Sequence, residues 1–198
     1  MHYTALGDSL TVGIGDSLGG FVNRSATILR HSGIPVKVQK IAKVGLTSQE
    51  LLVSLQNPRT RLAIARADLI TLTIGGNDLL KALEYVERTK DPSQLEMTIS
   101  KFSVNLNKIL QQIQLIKSAT PTKNYQIRII GLYNPVPHIP LSTAVIKKIN
   151  RIICSYRSAT IRCVDIYNHF SQPGSLARDL HPNAVGYQAI TKQLLNSI

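Results

Sequence analysis

Apolar and polar residues alternate along this chain in two rhythms. Short apolar runs occur at Tyr3 to Leu6, Val36 to Ile41, and in "ADLITLTIGGND", "QIRIIGL" and "IRCVDIY". Compact runs bounded by turn residues read as strands. Between them lie segments whose apolar positions recur three and four residues apart. These cover Phe21 to His31, "TSQELLVSLQ", "NPRTRLAIARA", Ser93 to Lys117, Leu141 to Tyr156 and Ala184 to Leu195, and each predicts a helix. Thr47 followed three residues later by Glu50 forms a capping-box pattern. Pro58 stands near the start of its helix, where a missing N–H costs little. "YNPVPHIP" holds Pro135, Pro137 and Pro140 and reads as an extended loop.

Five strands separated by helices predict a parallel sheet covered on both faces, hence an α/β protein. Ligands of such sheets gather beyond the carboxyl ends of the strands. The segments that follow the strands are "GDS" at 7 to 9, "KVG" at 43 to 45, "GGND" at 75 to 78 and the proline-rich loop. All four are therefore expected on one rim. No repeat, low-complexity tract or linker interrupts the pattern, so one domain is expected over 1–198.

That rim collects the candidate chemistry. Ser9 follows Gly7 and Asp8 in a strand-to-helix turn, where backbone N–H groups point outward and a hydroxyl can be exposed. This suits a nucleophile whose attack creates an oxyanion. Gly45 has no side chain to keep a ligand from its N–H. Asn77 carries an amide donor after two glycines, and Asp78 reads as the cap of the next helix. His181, before Pro182 and the helix-capping candidate Asn183, is a loop histidine of a type suited to general-base work. In isolation each has a plainer reading, as a turn, cap or surface residue. His2, His31 and His169 have no comparable setting, and His138 borders the site only through its loop.

Composition narrows the classes. At 198 residues, 43% apolar and 17% charged, the chain is an ordinary globular protein. Cys154 and Cys163 are too few for a disulfide framework or a four-cysteine zinc site, and read as buried free thiols compatible with a reducing compartment. The glycines of "GIGDSLGG" match neither nucleotide-loop pattern, and no metal-ligand spacing appears, so no metal or cofactor is expected. With 23 basic and 11 acidic residues, the net charge is +12. Such a balance favours anionic partners, although the cations read as dispersed. An anionic lipid or envelope surface fits, whereas nucleic acid finds no recognised motif. The start of the chain lacks a basic region followed by an apolar one, so no signal peptide is expected. No apolar stretch is long enough to predict a transmembrane helix. The reading is cytoplasmic, with spore or cell-envelope association as the alternative; the sequence does not specify oligomeric state.

Order and spacing add what single motifs do not. "ALGDSLTVG", "VGLTSQELL", "TIGGNDLL" and "DLHPNAVGY", in that order from end to end, resemble the SGNH hydrolases, also called GDSL esterases and lipases. The resemblance implies a three-layer α/β/α sandwich of flavodoxin-like type. It implies Ser9 as nucleophile, His181 as base, and an oxyanion hole built from the N–H groups of Ser9 and Gly45 and the amide of Asn77. It implies a carboxylic ester hydrolase working through an acyl-enzyme. Short-to-medium acyl esters or lysophospholipids are the expected substrates. A carbohydrate O-deacetylase, a thioesterase or a silent module binding an anionic polymer are the alternatives. Leu10, Pro135, Pro137 and His138 are the expected substrate contacts.

Two positions depart from the family pattern. Lys40 and Ala42 stand where an asparagine and a glycine are common. The family's acid usually lies three residues before the histidine, which here is Arg178, whereas Asp179 is one residue closer. Either Asp179 or a main-chain carbonyl near Arg178 is expected to orient His181.

Overall fold

All five predicted strands form, and every neighbouring pair is parallel. The computed structural model describes residues 1–120, 124–170 and 174–198. The strands are β1 (His2–Gly7), β2 (Lys37–Ala42), β3 (Leu69–Thr73), β4 (Gln126–Ile130) and β5 (Ile161–Val164), in the order β2-β1-β3-β4-β5. This is the doubly wound order of flavodoxin-like sheets. β3 lies at the centre and is buried along its whole length, which explains its unbroken apolar run.

The helices are α1 (Ser9–Val12), α2 (Gly20–His31), α3 (Ser48–Ser54), α4 (Pro58–Arg66), α5 (Gly76–Thr89), α6 (Ser93–Ser118), α7 (Pro140–Ser155) and α8 (Ala184–Leu195). A 3-10 turn covers Tyr167–Phe170. Their apolar stripes settle on two sides of the sheet. On one side, Phe102, Leu106, Ile109 and Ile113 of α6 pack with Ile70, Leu72, Ile127 and Ile129 of the central strands. The helices α3, α4, α5 and α7 share that core. On the other, Phe21 and Val22 of α2 and Tyr187, Ile190 and Leu194 of α8 pack with Tyr3 and Ala5 of β1. The capping box at Thr47 and Glu50 forms as read from the sequence. So does the Asn183 cap, whose side chain accepts hydrogen bonds from the N–H groups of Val185 and Gly186.

The cysteine reading is overturned. Cys154 and Cys163 are joined in a disulfide, with Cα atoms 4.9 Å apart, and both are half-buried rather than buried. α7 ends at Ser155 and the chain turns back at once into edge strand β5, which sets the two residues side by side. Spacing in the sequence alone does not reveal that reversal.

Candidate active site

The carboxyl ends of β1 to β4 converge on one rim around an apolar cavity of about 250 Å3. Asp8, Ser9, Gly45, Asn77, Tyr133 and His181 all border it, as the strand pattern predicts. The first corner depends on Gly7, where φ is +150° and a Cβ would lie 2.2 Å from Thr73 Oγ1. Only glycine lets β1 close on β3 there. Asp8 then caps α1, its Oδ1 accepting from the N–H of Leu10 at 3.1 Å and from the Thr73 hydroxyl at 2.9 Å. Burial pushes the Asp8 carboxyl up to about 6, against the opposing pull of these hydrogen bonds. Ser9, only 7% exposed, opens the short helix α1, and its N–H has no hydrogen-bond partner among the described residues.

Two further donors face the same space. Gly45 sits in the turn closed by the Leu46 N–H and the Lys43 carbonyl, with φ at +79°, a value that favours glycine. Its N–H is likewise unpaired among the described residues. Asn77 is the second residue of α5, and one hydrogen of its amide is given to the Leu46 carbonyl at 3.0 Å. That bond fixes the amide and leaves its second hydrogen available.

Asp78 does not cap its own helix, contrary to the sequence reading. It lies inside the first turn of α5, and its carboxylate accepts from the Ser48 N–H at 2.9 Å and from the Ser48 hydroxyl. Asn105 of α6 donates to the same hydroxyl at 3.0 Å. The turn carrying Gly45 and the helix carrying Asn77 are thereby tied together.

His181 comes from a tight hairpin before α8. The Ala177 N–H donates to the His181 carbonyl at 2.8 Å, the Leu180 N–H donates to the Ala177 carbonyl at 3.1 Å, and Leu180 takes the left-handed conformation at φ +66°. Within this turn the Asp179 carboxylate accepts the N–H of His181 at 3.2 Å, an Asx-type turn, and meets ring Nδ1 at 3.0 Å. The opposite nitrogen, Nε2, stands 3.0 Å from Ser9 Oγ. The hydrogen bonds from His181 hold the Asp179 carboxyl below its ordinary range. Of the two candidates for orienting His181, the structure brings Asp179 to the ring.

The loop that opens at Tyr133 was expected beside the acyl pocket, but the hold of Tyr133 on Leu180, and Leu180 itself, escape sequence reasoning. Tyr133, at the end of β4, donates its hydroxyl to the Leu180 carbonyl at 2.8 Å and stacks on Phe170 at 4.5 Å between ring centres. Leu180 itself lines the cavity. An aromatic residue after a strand was a visible signal for Tyr133. A leucine gives none for a left-handed turn.

Lys40, at a position that departs from the family pattern, reaches from β2 to the carbonyls of Val12 at 3.1 Å and Gly19 at 2.8 Å. It fastens the end of α1, and burial lowers its pKa.

The expected substrate contacts divide. Leu10 and Pro135 border the cavity, whereas Pro137 and His138 are exposed and off its wall. The Ile139 N–H donates back to the Val136 carbonyl, and this turn carries the two residues outward. Val136, between the prolines, faces inward instead. The rest of the wall is aliphatic: Leu79 and Leu83 of α5, Ile130 and Leu132 at the end of β4, and Ile146 of α7. Among the described residues no group of three or more His, Cys, Asp or Glu is placed to hold a metal ion.

A hydroxyl, an imidazole and a carboxylate in hydrogen-bond sequence beside three free donors is an arrangement that can carry acyl transfer. Comparison with known proteins points the same way. Residues 5–189 match the GDSL-like Lipase/Acylhydrolase family. The spore germination lipase LipC of Bacillus licheniformis is 37% identical, over 98% of this chain and 94% of its own. The crystal structure of the lipase Lip_vut3 from a goat rumen metagenome superposes with a TM-score of 0.92 at 36% identity, covering 100% of this chain and 97% of that one. The acetylxylan esterase Axe2 of Geobacillus stearothermophilus shares the fold at a TM-score of 0.71 and 15% identity, covering 98% and 92% of the two chains. The chain belongs to the GDSL-like Lipase/Acylhydrolase family and is a carboxylic ester hydrolase.

Proposed function

We propose that this enzyme cleaves medium-chain acyl esters of lipids through an acyl-enzyme on Ser9. The observation that carries the reading is the 3.0 Å approach of His181 Nε2 to Ser9 Oγ at the mouth of an aliphatic cavity. His181 takes the hydroxyl proton as Oγ attacks the ester carbonyl. The N–H groups of Ser9 and Gly45 and the Asn77 amide receive the developing oxyanion. The C–O bond breaks, His181 passes the proton to the leaving alcohol, and the acyl group stays on Ser9. Water, losing its proton to His181, then attacks the acyl carbonyl, the bond to Oγ breaks to free the acid, and His181 returns the proton to Ser9. Asp179 holds the ring with Nδ1 protonated and balances the imidazolium.

The cavity supports an acyl chain of intermediate length. An apolar cavity of about 150 Å3 accommodates benzene, so 250 Å3 has room for about ten carbons at the same ratio. An acetyl group would leave most of it empty, which weighs against the carbohydrate deacetylase alternative. The similarity to a spore germination lipase supports lipid esters as substrates and a spore as the setting.

A series of p-nitrophenyl esters tests this reading, run beside acetylated xylan. kcat/KM is expected to rise from acetate to about the octanoate or decanoate and then fall, and Ser9→Ala to abolish turnover. Highest activity on acetyl esters and acetylated xylan would overturn it.

A further inference from the structure

The net charge of this protein sits on one flank. Met97 to Val164 contains ten of the 23 basic residues and none of the 11 acidic ones. The remainder, with 13 basic and 11 acidic residues, is nearly balanced. Counting cations alone made the charge look dispersed; the asymmetry lies in the missing carboxylates. The segment folds into α6, β4, α7 and edge strand β5, with α6 and α7 side by side on the same face of the sheet.

Two of the ten cations are internal and contribute nothing to that surface. Lys117 donates to the carbonyls of Ala65 and Ala67, and Arg128 clamps the Ser197 carbonyl. Lys101, Lys108, Lys147, Lys148, Arg151, Arg157 and Arg162 are exposed. Among the described residues only Lys148 has a carboxylate partner, Glu96 at the head of α6.

The same faces expose aliphatic side chains in register with the charges. On α6, Met97, Val104 and Leu115 follow the stripe of Lys101 and Lys108, at steps of three, four and seven residues. On α7, Leu141 is 49% exposed and precedes Lys148 and Arg151 on one side of the helix. Phosphate-rich polymers have no use for such residues, whereas a bilayer surface takes up both kinds. Leu141 also lies where α7 enters the cavity loop, so a membrane on this flank would meet the mouth of the site. Leu80 and Leu180, each 44% exposed on the cavity wall, extend the apolar edge.

We infer that the α6–α7–β5 flank docks this enzyme on an anionic lipid bilayer, feeding ester lipids to the cavity beside it. The inference rests on the lipid-ester reading above, but its test does not depend on turnover. Full-length Ser9→Ala protein is sedimented with phosphatidylcholine vesicles and with vesicles containing about one third phosphatidylglycerol. Binding is expected only to the second. Lys101→Gln, Lys108→Gln and Arg151→Gln together are expected to weaken it at least about tenfold, since each cation near such a surface contributes a several-fold gain. Lys37→Gln and Lys192→Gln, on edge strand β2 and on α8 across the sheet, remove charge away from this flank and are expected to change it about twofold or less. Leu141→Asn, which leaves the charge unchanged, is expected to weaken vesicle binding but not heparin binding. With Ser9 intact, all these variants are expected to hydrolyse p-nitrophenyl butyrate normally.

Equal binding to neutral vesicles, an equal loss from the Lys37–Lys192 variant, or a preference for duplex DNA over the anionic vesicles would overturn the proposal. Vesicle binding by a protein whose serine-intact form has no esterase activity would leave docking standing and sink the hydrolase reading instead.

Discussion

Asp179 holds His181 twice, by its backbone N–H at 3.2 Å and by ring Nδ1 at 3.0 Å. A carboxylate two residues ahead reaches the ring because the hairpin folds it back over the N–H of that residue. Asp179→Asn keeps an acceptor for the N–H but presents an amide to Nδ1 and favours the wrong tautomer. kcat is expected to fall by about 10² to 10⁴ with KM little changed. Steady-state kinetics on p-nitrophenyl butyrate checks this, and a loss below about tenfold would return the orienting role to the main chain.

The left-handed Leu180 is held by Tyr133, whose hydroxyl donates to its carbonyl at 2.8 Å. Tyr133→Phe keeps the stacking on Phe170 and removes only that bond. It is expected to lower kcat about tenfold, leave KM nearly unchanged and shift the melting temperature by only a few degrees. Unchanged kcat would show that the hairpin holds its geometry unaided.

Asn77 and the Asp78–Ser48 tie separate two contributions to the proposed oxyanion site. Asn77→Ala is expected to cost about 10² to 10³ in kcat in a folded protein, as removal of one donor does elsewhere. Asp78→Asn weakens the brace while leaving the donor in place, and about a tenfold loss in kcat is expected. Circular dichroism beside kinetics distinguishes a lost donor from a lost fold.

Asp8 gives the stability a pH dependence of unusual sign. Its carboxyl titrates near 6 in the folded protein because it is buried, against an ordinary value of 3.8. Between these values the folded chain holds a proton that the unfolded chain has released. Stability is therefore lost as pH rises through that window, by about 3 kcal/mol once both forms are ionised. Asp8→Asn removes this contribution. Its melting temperature relative to wild type is expected to rise between pH 4 and pH 7, and a constant difference would contradict the assignment.

Ile146 lines the aliphatic space from α7. Ile146→Phe is expected to cut kcat/KM for the p-nitrophenyl octanoate about tenfold and leave the acetate within about twofold. Equal effects on both esters would move the acyl chain elsewhere.

Much of this was legible in the sequence because it depends on local chemistry. Thr47 with Glu50, Pro58 and Asn183 announce helix starts by residue type, and the buried run of β3 can only be a central strand. Gly7, Ser9, Gly45 and Asn77 were legible as a group because a parallel sheet delivers its strand ends to one rim. What was hidden depends on contacts across the fold. Asp78 serves a helix that begins 30 residues earlier, Cys154 meets Cys163 only through a chain reversal, and Val136 turns inward where Pro137 turns out. Leu180 adopts a conformation that its residue type disfavours, held by a tyrosine from the segment after β4.

The reacting pair also has a consequence in time. Ser9 and His181 stand 3.0 Å apart but 172 residues apart in sequence. During synthesis the serine leaves the ribosome long before the hairpin that carries His181 has been made. A nascent chain therefore carries the hydroxyl and all three proposed oxyanion donors before it carries His181. On the proposed mechanism, esterase activity therefore needs β1 and the hairpin before α8 together, so it reports their assembly and not the formation of either half.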